Sequence, residues 1–139
     1  MEELINLLHT GGYSCTIANG GKIRIFTQRG VADLYDLLTQ EPEFLKGASI
    51  ADKVVGKGAA ALMILGGIKE LYTDIISTKA LELLQKSDIK VDFTEEVPFI
   101  WNRNHTGGCP VETMCSEVES AEEILPLIRD FLEKIRNKK

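Results

Sequence analysis

The chain has 139 residues, 44% of them apolar and 27% charged, and a formal net charge of −5. These values suit one globular α/β-sized domain over residues 1–139 and exclude collagen-like, coiled-coil and disordered classes. The acidic balance also excludes a general nucleic-acid binder, because the phosphate backbone requires a surplus of Lys and Arg.

Leu4, Leu7 and Leu8 share one face of a helix over 2–10, which Gly11-Gly12 stop. Tyr13–Gln28 reads as an antiparallel hairpin, with Asn19-Gly20-Gly21 supplying the positive-φ positions of a tight turn. Val31, Leu34, Tyr35 and Leu38 have helical spacing, and Glu41-Pro42-Glu43 closes that helix before a linker to Ser49. The run SIADKVVGKGAAALMILGG (49–67) is apolar nearly all round and reads as one buried central helix ending at Gly66-Gly67. Then come a strand over 68–77, a helix from Ser77 as N-cap, and a strand over 89–94, which form a right-handed parallel crossover. A short edge strand is expected at 97–104, restricted by Pro98, and then turn chemistry to residue 120. Ser120-Ala121-Glu122-Glu123 is a capping box opening a final amphipathic helix on Ile124, Leu127, Ile128, Phe131, Leu132 and Ile135. A hairpin feeding parallel units predicts an α/β mixed sheet with helices on both faces.

No secretory leader is expected, since Glu2 and Glu3 stand where one would carry positive charge. No membrane span is expected either: the longest apolar run, Gly58–Ile68, is far short of the ~20 residues that cross a bilayer. Cys15, Cys109 and Cys115 are an odd number and suit free thiols in the cytoplasm.

Three clusters carry candidate chemistry. Asp52, Lys53, Gly56 and Lys57 fall in the predicted buried helix, where Lys53 and Lys57 at i, i+4 share a face and can receive an anion; the same spacing also suits a solvated first turn. Asp74, Ser77 and Thr78 mark the carboxyl end of a strand and the start of a helix, where ligands of open α/β sheets bind. Ser77 also reads as a simple N-cap. The third cluster is Asn102, His105, Gly108, Cys109, Pro110, Glu112 and Cys115. Cys109 is a candidate nucleophile with His105 as its base. His105, Cys109 and Cys115 are metal-compatible types, but H-x3-C-x5-C is not a standard zinc spacing, and no cofactor is expected. Trp101 can stack on a base or plug a sheet edge. Cys15 reads as a small core residue and His9 as structural.

ADKVVGKGAAALMILGG followed by a strand, a helix and TGGCPVE resembles an uncharacterised prokaryotic family of unknown function, with ADKVVGK and GCPVE its specific parts. The resemblance runs from the hairpin to about Glu112 and implies a cytidine-deaminase-like three-layer sandwich, the mixed sheet beginning with an N-terminal hairpin. The residues matching the family pattern are Asp52, Lys53, Gly56 and Lys57, then Gly108, Cys109, Pro110 and Glu112. Zinc deaminases need His (or Cys)-x-Glu and P-C-x-x-C at two helix starts. The equivalent places here read Gly56-Lys57-Gly58 and Ser77-Thr78-Lys79-Ala80, so hydrolytic deamination is not expected. The family carries no settled activity; Lys53, Lys57 and the Ser77-Thr78 helix start at the old active site of such a fold lead us to expect a domain that binds a small anionic metabolite or nucleotide in a vestigial crevice. A homo-oligomeric scaffold and a Cys109-dependent enzyme are the alternatives.

Overall fold

A computed structural model describes residues 2–27, 31–98, 118 and 120–137, with side chains as far as Lys134. The described elements are α1 (Glu2–Gly11), β1 (Cys15–Asn19), β2 (Lys22–Phe26), α2 (Ala32–Gln40), α3 (Pro42–Leu45), β3 (Ser49–Val55), α4 (Lys57–Gly66), β4 (Glu70–Ser77), α5 (Thr78–Gln85), β5 (Lys90–Val97) and α6 (Ala121–Asn137). The strands make a five-stranded mixed sheet in the order β2-β1-β3-β4-β5. β1 is antiparallel to both β2 and β3, whereas β3, β4 and β5 run parallel.

The hairpin forms as its residues dictate. Gly20 and Gly21 take φ of 58° and 84°, a two-residue turn whose twist matches the flanking strands. Asn19 also ties the turn to α3, because its Nδ2 donates to the carbonyls of Phe44 and Lys46, both at 2.8 Å. Segment 41–48 is therefore not a plain linker, and Leu45 within α3 is fully buried.

The predicted helix over 49–67 is two elements. Ser49–Val55 is the central strand β3, and the helix begins only at Lys57. A strand between two partners with both faces covered carries a continuous apolar run, which periodicity cannot distinguish from a buried helix. β-branched Ile50, Val54 and Val55 favour the strand. Gly56 marks the junction as the extended N-cap of α4, and Gly67 closes the helix in the left-handed region at φ 72°. The fifth strand also runs beyond its expected end, through Glu95, Glu96 and Val97.

Right-handed β3-α4-β4 and β4-α5-β5 crossovers moving in one direction across the sheet put both helices on one face. There α4 is the hub, packed against α2, α5 and α6 and buried from Lys57 to Met63. Ile17, Ile50, Val55, Leu71 and Ile76 meet Leu62, Met63, Leu84, Ile124 and Ile128 in the main core. On the other face α1 lies across β1 and β3, seating Leu4 and Leu8 against Ala51. α6 opens as expected, with the Glu123 N–H donating to Ser120 Oγ at 3.2 Å, and carries Pro126 in its interior. Among the described residues no helix is long and apolar enough to cross a membrane.

Candidate functional site

Parallel strands deliver their carboxyl ends and the following helix starts to one edge of the sheet. Here Val55 pairs with Ile76, so the starts of α4 and α5 stand side by side. Five polar side chains among the described residues are buried: Thr16, Asp52, Lys57, Thr73 and Ser77. Asp52 and Thr73 pair at the middle of β3 and β4, whereas Lys57 opens α4 and Ser77 ends β4.

Asp52 lies on the α4 side of the sheet, opposite Cys15 of β1 and beside Thr73 of β4. Its carboxyl accepts from the backbone N–H groups of Lys53 and Val54 and from the Cys15 thiol. Burial dominates those contacts and pushes its pKa up to about 7, with a smaller contribution from the Asp74 charge. The Cys15 thiol is raised well above its ordinary range, first by burial and then by Asp52. Sheet alternation slips at this point. Ile50 and Val55 both face the main core, as do Leu71 and Ile76, although an odd number of positions separates each pair. At the slip Asp52 engages its own following backbone, and Thr73 Oγ1 donates to the Ile75 carbonyl at 2.9 Å.

Lys57 occupies the first turn of α4 and is buried, with 7% of its surface exposed. Ser77 caps α5, its Oγ accepting from the Ala80 N–H at 3.1 Å. Thr78 Oγ1 donates to Glu96 Oε2 (2.9 Å) and to the Val97 carbonyl (3.2 Å), fastening α5 to the end of β5.

The structure thus brings Gly56, Lys57, Ser77 and Thr78 to one edge, with Asp52 further back, at the middle of β3. Lys53 is exposed on the strand, and the strand–helix junction at Gly56 removes the i, i+4 face it was expected to share with Lys57. Asp74 turns to the α1 side instead. There His9 Nε2–H donates to Asp74 Oδ1 at 2.8 Å and the Tyr72 hydroxyl donates to the same oxygen at 2.7 Å. With the phenolic proton committed, Thr94 donates to Tyr72 at 2.7 Å. The Asp74 hydrogen bond is the main reason the Tyr72 pKa rises. Asn102, His105, Gly108, Cys109, Pro110, Glu112 and Cys115 lie outside the described residues, as does Trp101. Among the described residues no group of three or more His, Cys, Asp and Glu side chains is placed to hold a metal. The Cys15–Asp52 pairing escaped sequence reasoning, because the two residues are far apart in the chain and meet only through strand register.

A search of curated proteins finds no match. The crystal structure of a DUF1893 family protein (TM1506) from Thermotoga maritima superposes with a TM-score of 0.85 at 22% identity, over 93% of this chain and 87% of that one, which shows the shared fold. The family described as "Domain of unknown function (DUF1893)", TM1506, matches residues 3–132. Covering nearly the whole chain, that match makes this protein a member of the DUF1893 family.

Proposed function

We propose that this chain is a cytidine-deaminase-like domain without deaminase chemistry, and that it binds a small anionic metabolite such as a nucleotide at the carboxyl edge of β3 and β4. The observation that carries the reading is buried Lys57 and Ser77 at the edge where α4 and α5 begin, with the buried pair Asp52 and Thr73 behind them at the middle of β3 and β4. Burying polar and ionisable groups opposes folding, and perturbed groups concentrate at functional sites. Lys57 supplies positive charge and the two helix starts supply oriented N–H groups, all suited to a phosphate or carboxylate. A carboxyl with a pKa near 7 can donate or accept a hydrogen bond, which suits the polar edge of a base or amide.

Zinc chemistry does not fit the donors at this edge. Gly56-Lys57-Gly58 and Ser77-Thr78-Lys79-Ala80 hold no imidazole, thiolate or carboxylate where a deaminase places its ligands and proton shuttle, so no hydrolytic step follows from them.

The reading is tested by thermal melting with a panel of ribonucleoside mono-, di- and triphosphates and inorganic phosphate. A ligand at 100 times its Kd stabilises by about 2.7 kcal/mol. At least one nucleotide is expected to raise the melting temperature of the wild type and of Lys53→Ala, and to raise that of Lys57→Ala less. No shift with any member of the panel overturns the proposal.

A further inference from the structure

Among the described residues the sheet ends in β2 on one side and β5 on the other, and the two strands differ in chemistry. β5 exposes Asp92, Glu95 and Glu96 together with Lys90 and a single large apolar side chain, Phe93, and its three carboxylates repel another copy of the same edge. β2 instead exposes Ile23 (49%) and Ile25 (46%). Both lie on the α1 side of the sheet, because their partners Ala18 and Thr16 contact α1 or its cluster. α1 itself lies over β1 and β3.

The two-residue turn makes Asn19 and Lys22 the hydrogen-bonded pair nearest the turn. Alternation then directs the backbone of Lys22, Arg24 and Phe26 toward β1 and that of Ile23 and Ile25 out of the sheet. We propose that β2 pairs antiparallel with β2 of a second copy of this chain, about a twofold axis at Arg24, joining the two sheets into one. That axis places Ile23 opposite Ile25 of the second copy and Ile25 opposite its Ile23. These are the outward-bonding positions, so each becomes a hydrogen-bonded pair as an antiparallel ladder requires. The four isoleucine side chains meet on one face. Lys22 falls opposite Phe26. Arg24 falls opposite itself, where like charges would repel, but its guanidinium is already engaged: Nη1 and Nη2 each reach a Glu41 carboxylate oxygen at 2.8 Å, and the group lies 4.5 Å from the Phe44 ring centroid. The self-complementary side is therefore β2, and the acidic β5 is the guarded edge. A five-residue strand pair buries less than a typical stable interface, so the dimer is weak and concentration-dependent.

Light scattering and sedimentation of the full chain, up to about 200 µM, test this. The wild type is expected to shift reversibly from monomer to dimer. The double variant Ile23→Lys/Ile25→Lys is expected to stay monomeric, with a melting temperature close to wild type because both side chains are exposed. Arg24→Cys, on the axis, is expected to form a disulfide-linked dimer under mild oxidation that neither the wild type nor Lys22→Cys forms. A wild type that is monomeric throughout overturns the proposal. So does a dimer that survives the double Lys variant, which would place the contact elsewhere. Species that grow beyond a dimer overturn it too, since they indicate open head-to-tail pairing of β2 with β5.

Discussion

Asp52 is a carboxyl whose chemistry departs far from its ordinary behaviour. Its carboxyl is held up to about 7 in the folded chain and relaxes toward the usual ~3.9 on unfolding. Between those values the folded state binds the extra proton. The stability this confers is complete below the unfolded pKa and is lost as pH rises through the folded one, at a slope approaching about 1.4 kcal/mol per pH unit. Wild-type melting temperature is therefore expected to fall between pH 5 and pH 8. Asp52→Asn, which keeps an acceptor for the Lys53 and Val54 N–H groups, is expected to flatten that profile and to melt above wild type at pH 8. Parallel profiles for the two proteins in calorimetry would place the titration elsewhere. The His9–Asp74 pair is a different case, because its side chains are 47% and 29% exposed. Solvent screening limits such a pair to about 1 kcal/mol or less.

That comparison decides what holds α1 in place. Leu8 is fully buried and Leu4 nearly so, on the face that meets Ala51. Truncating a buried Leu costs about 2–5 kcal/mol. Leu8→Ala is expected to lower stability to urea by that amount and His9→Ala by under about 1 kcal/mol, so apolar burial outweighs the ion pair. Equal losses in the two variants would refute this ranking. At the far end of α4, Gly67 sits at φ 72°, where a Cβ is strained, and its N–H closes the helix on the Met63 and Ile64 carbonyls at 3.1 Å. Gly67→Ala should destabilise by about 1–2 kcal/mol. Gly66 is constrained by space: a Cβ there would stand 2.9 Å from Leu45 Cδ1, so Gly66→Ala pushes α3 away from α4. Measured denaturation midpoints for the two variants distinguish a backbone penalty at Gly67 from a packing penalty at Gly66, because Leu45→Ala, which removes the Cδ1 contact and keeps the Cβ at 3.0 Å, should couple to Gly66→Ala and not to Gly67→Ala.

On the scale of the whole molecule, protection should follow the layering. β1, β3 and β4 have partners on both sides, and α4 packs on α2, α3, α5 and α6. Among the described residues β2 and β5 are the terminal strands, and much of β5 is exposed. Amide hydrogen exchange is expected to be slowest in β3, β4 and α4 and faster in β2 and β5. Uniform protection across all five strands would contradict that gradient.

Local signals were sufficient for the elements whose cause is local. The Asn19-Gly20-Gly21 turn, the Ser77 cap, the Ser120 cap and the amphipathic faces of α1 and α6 each depend on a few neighbouring residues, and each was legible in the sequence. So was the mixed α/β character, because a hairpin followed by a strand–helix–strand unit leaves few topologies open. β3 was not legible. Its apolar run takes its meaning from β1 on one side and β4 on the other, so only tertiary pairing separates a central strand from a buried helix. The candidate site was half visible: the residue types and the helix start at Thr78 could be read from the chain, while the Gly56 junction, the Cys15–Asp52 pairing and the turn of Asp74 toward His9 could not. Helix caps and turns are short-range interactions written in adjacent residues. Strand register, burial and the pKa of a carboxyl are set by segments distant in the chain, and folding alone brings those together.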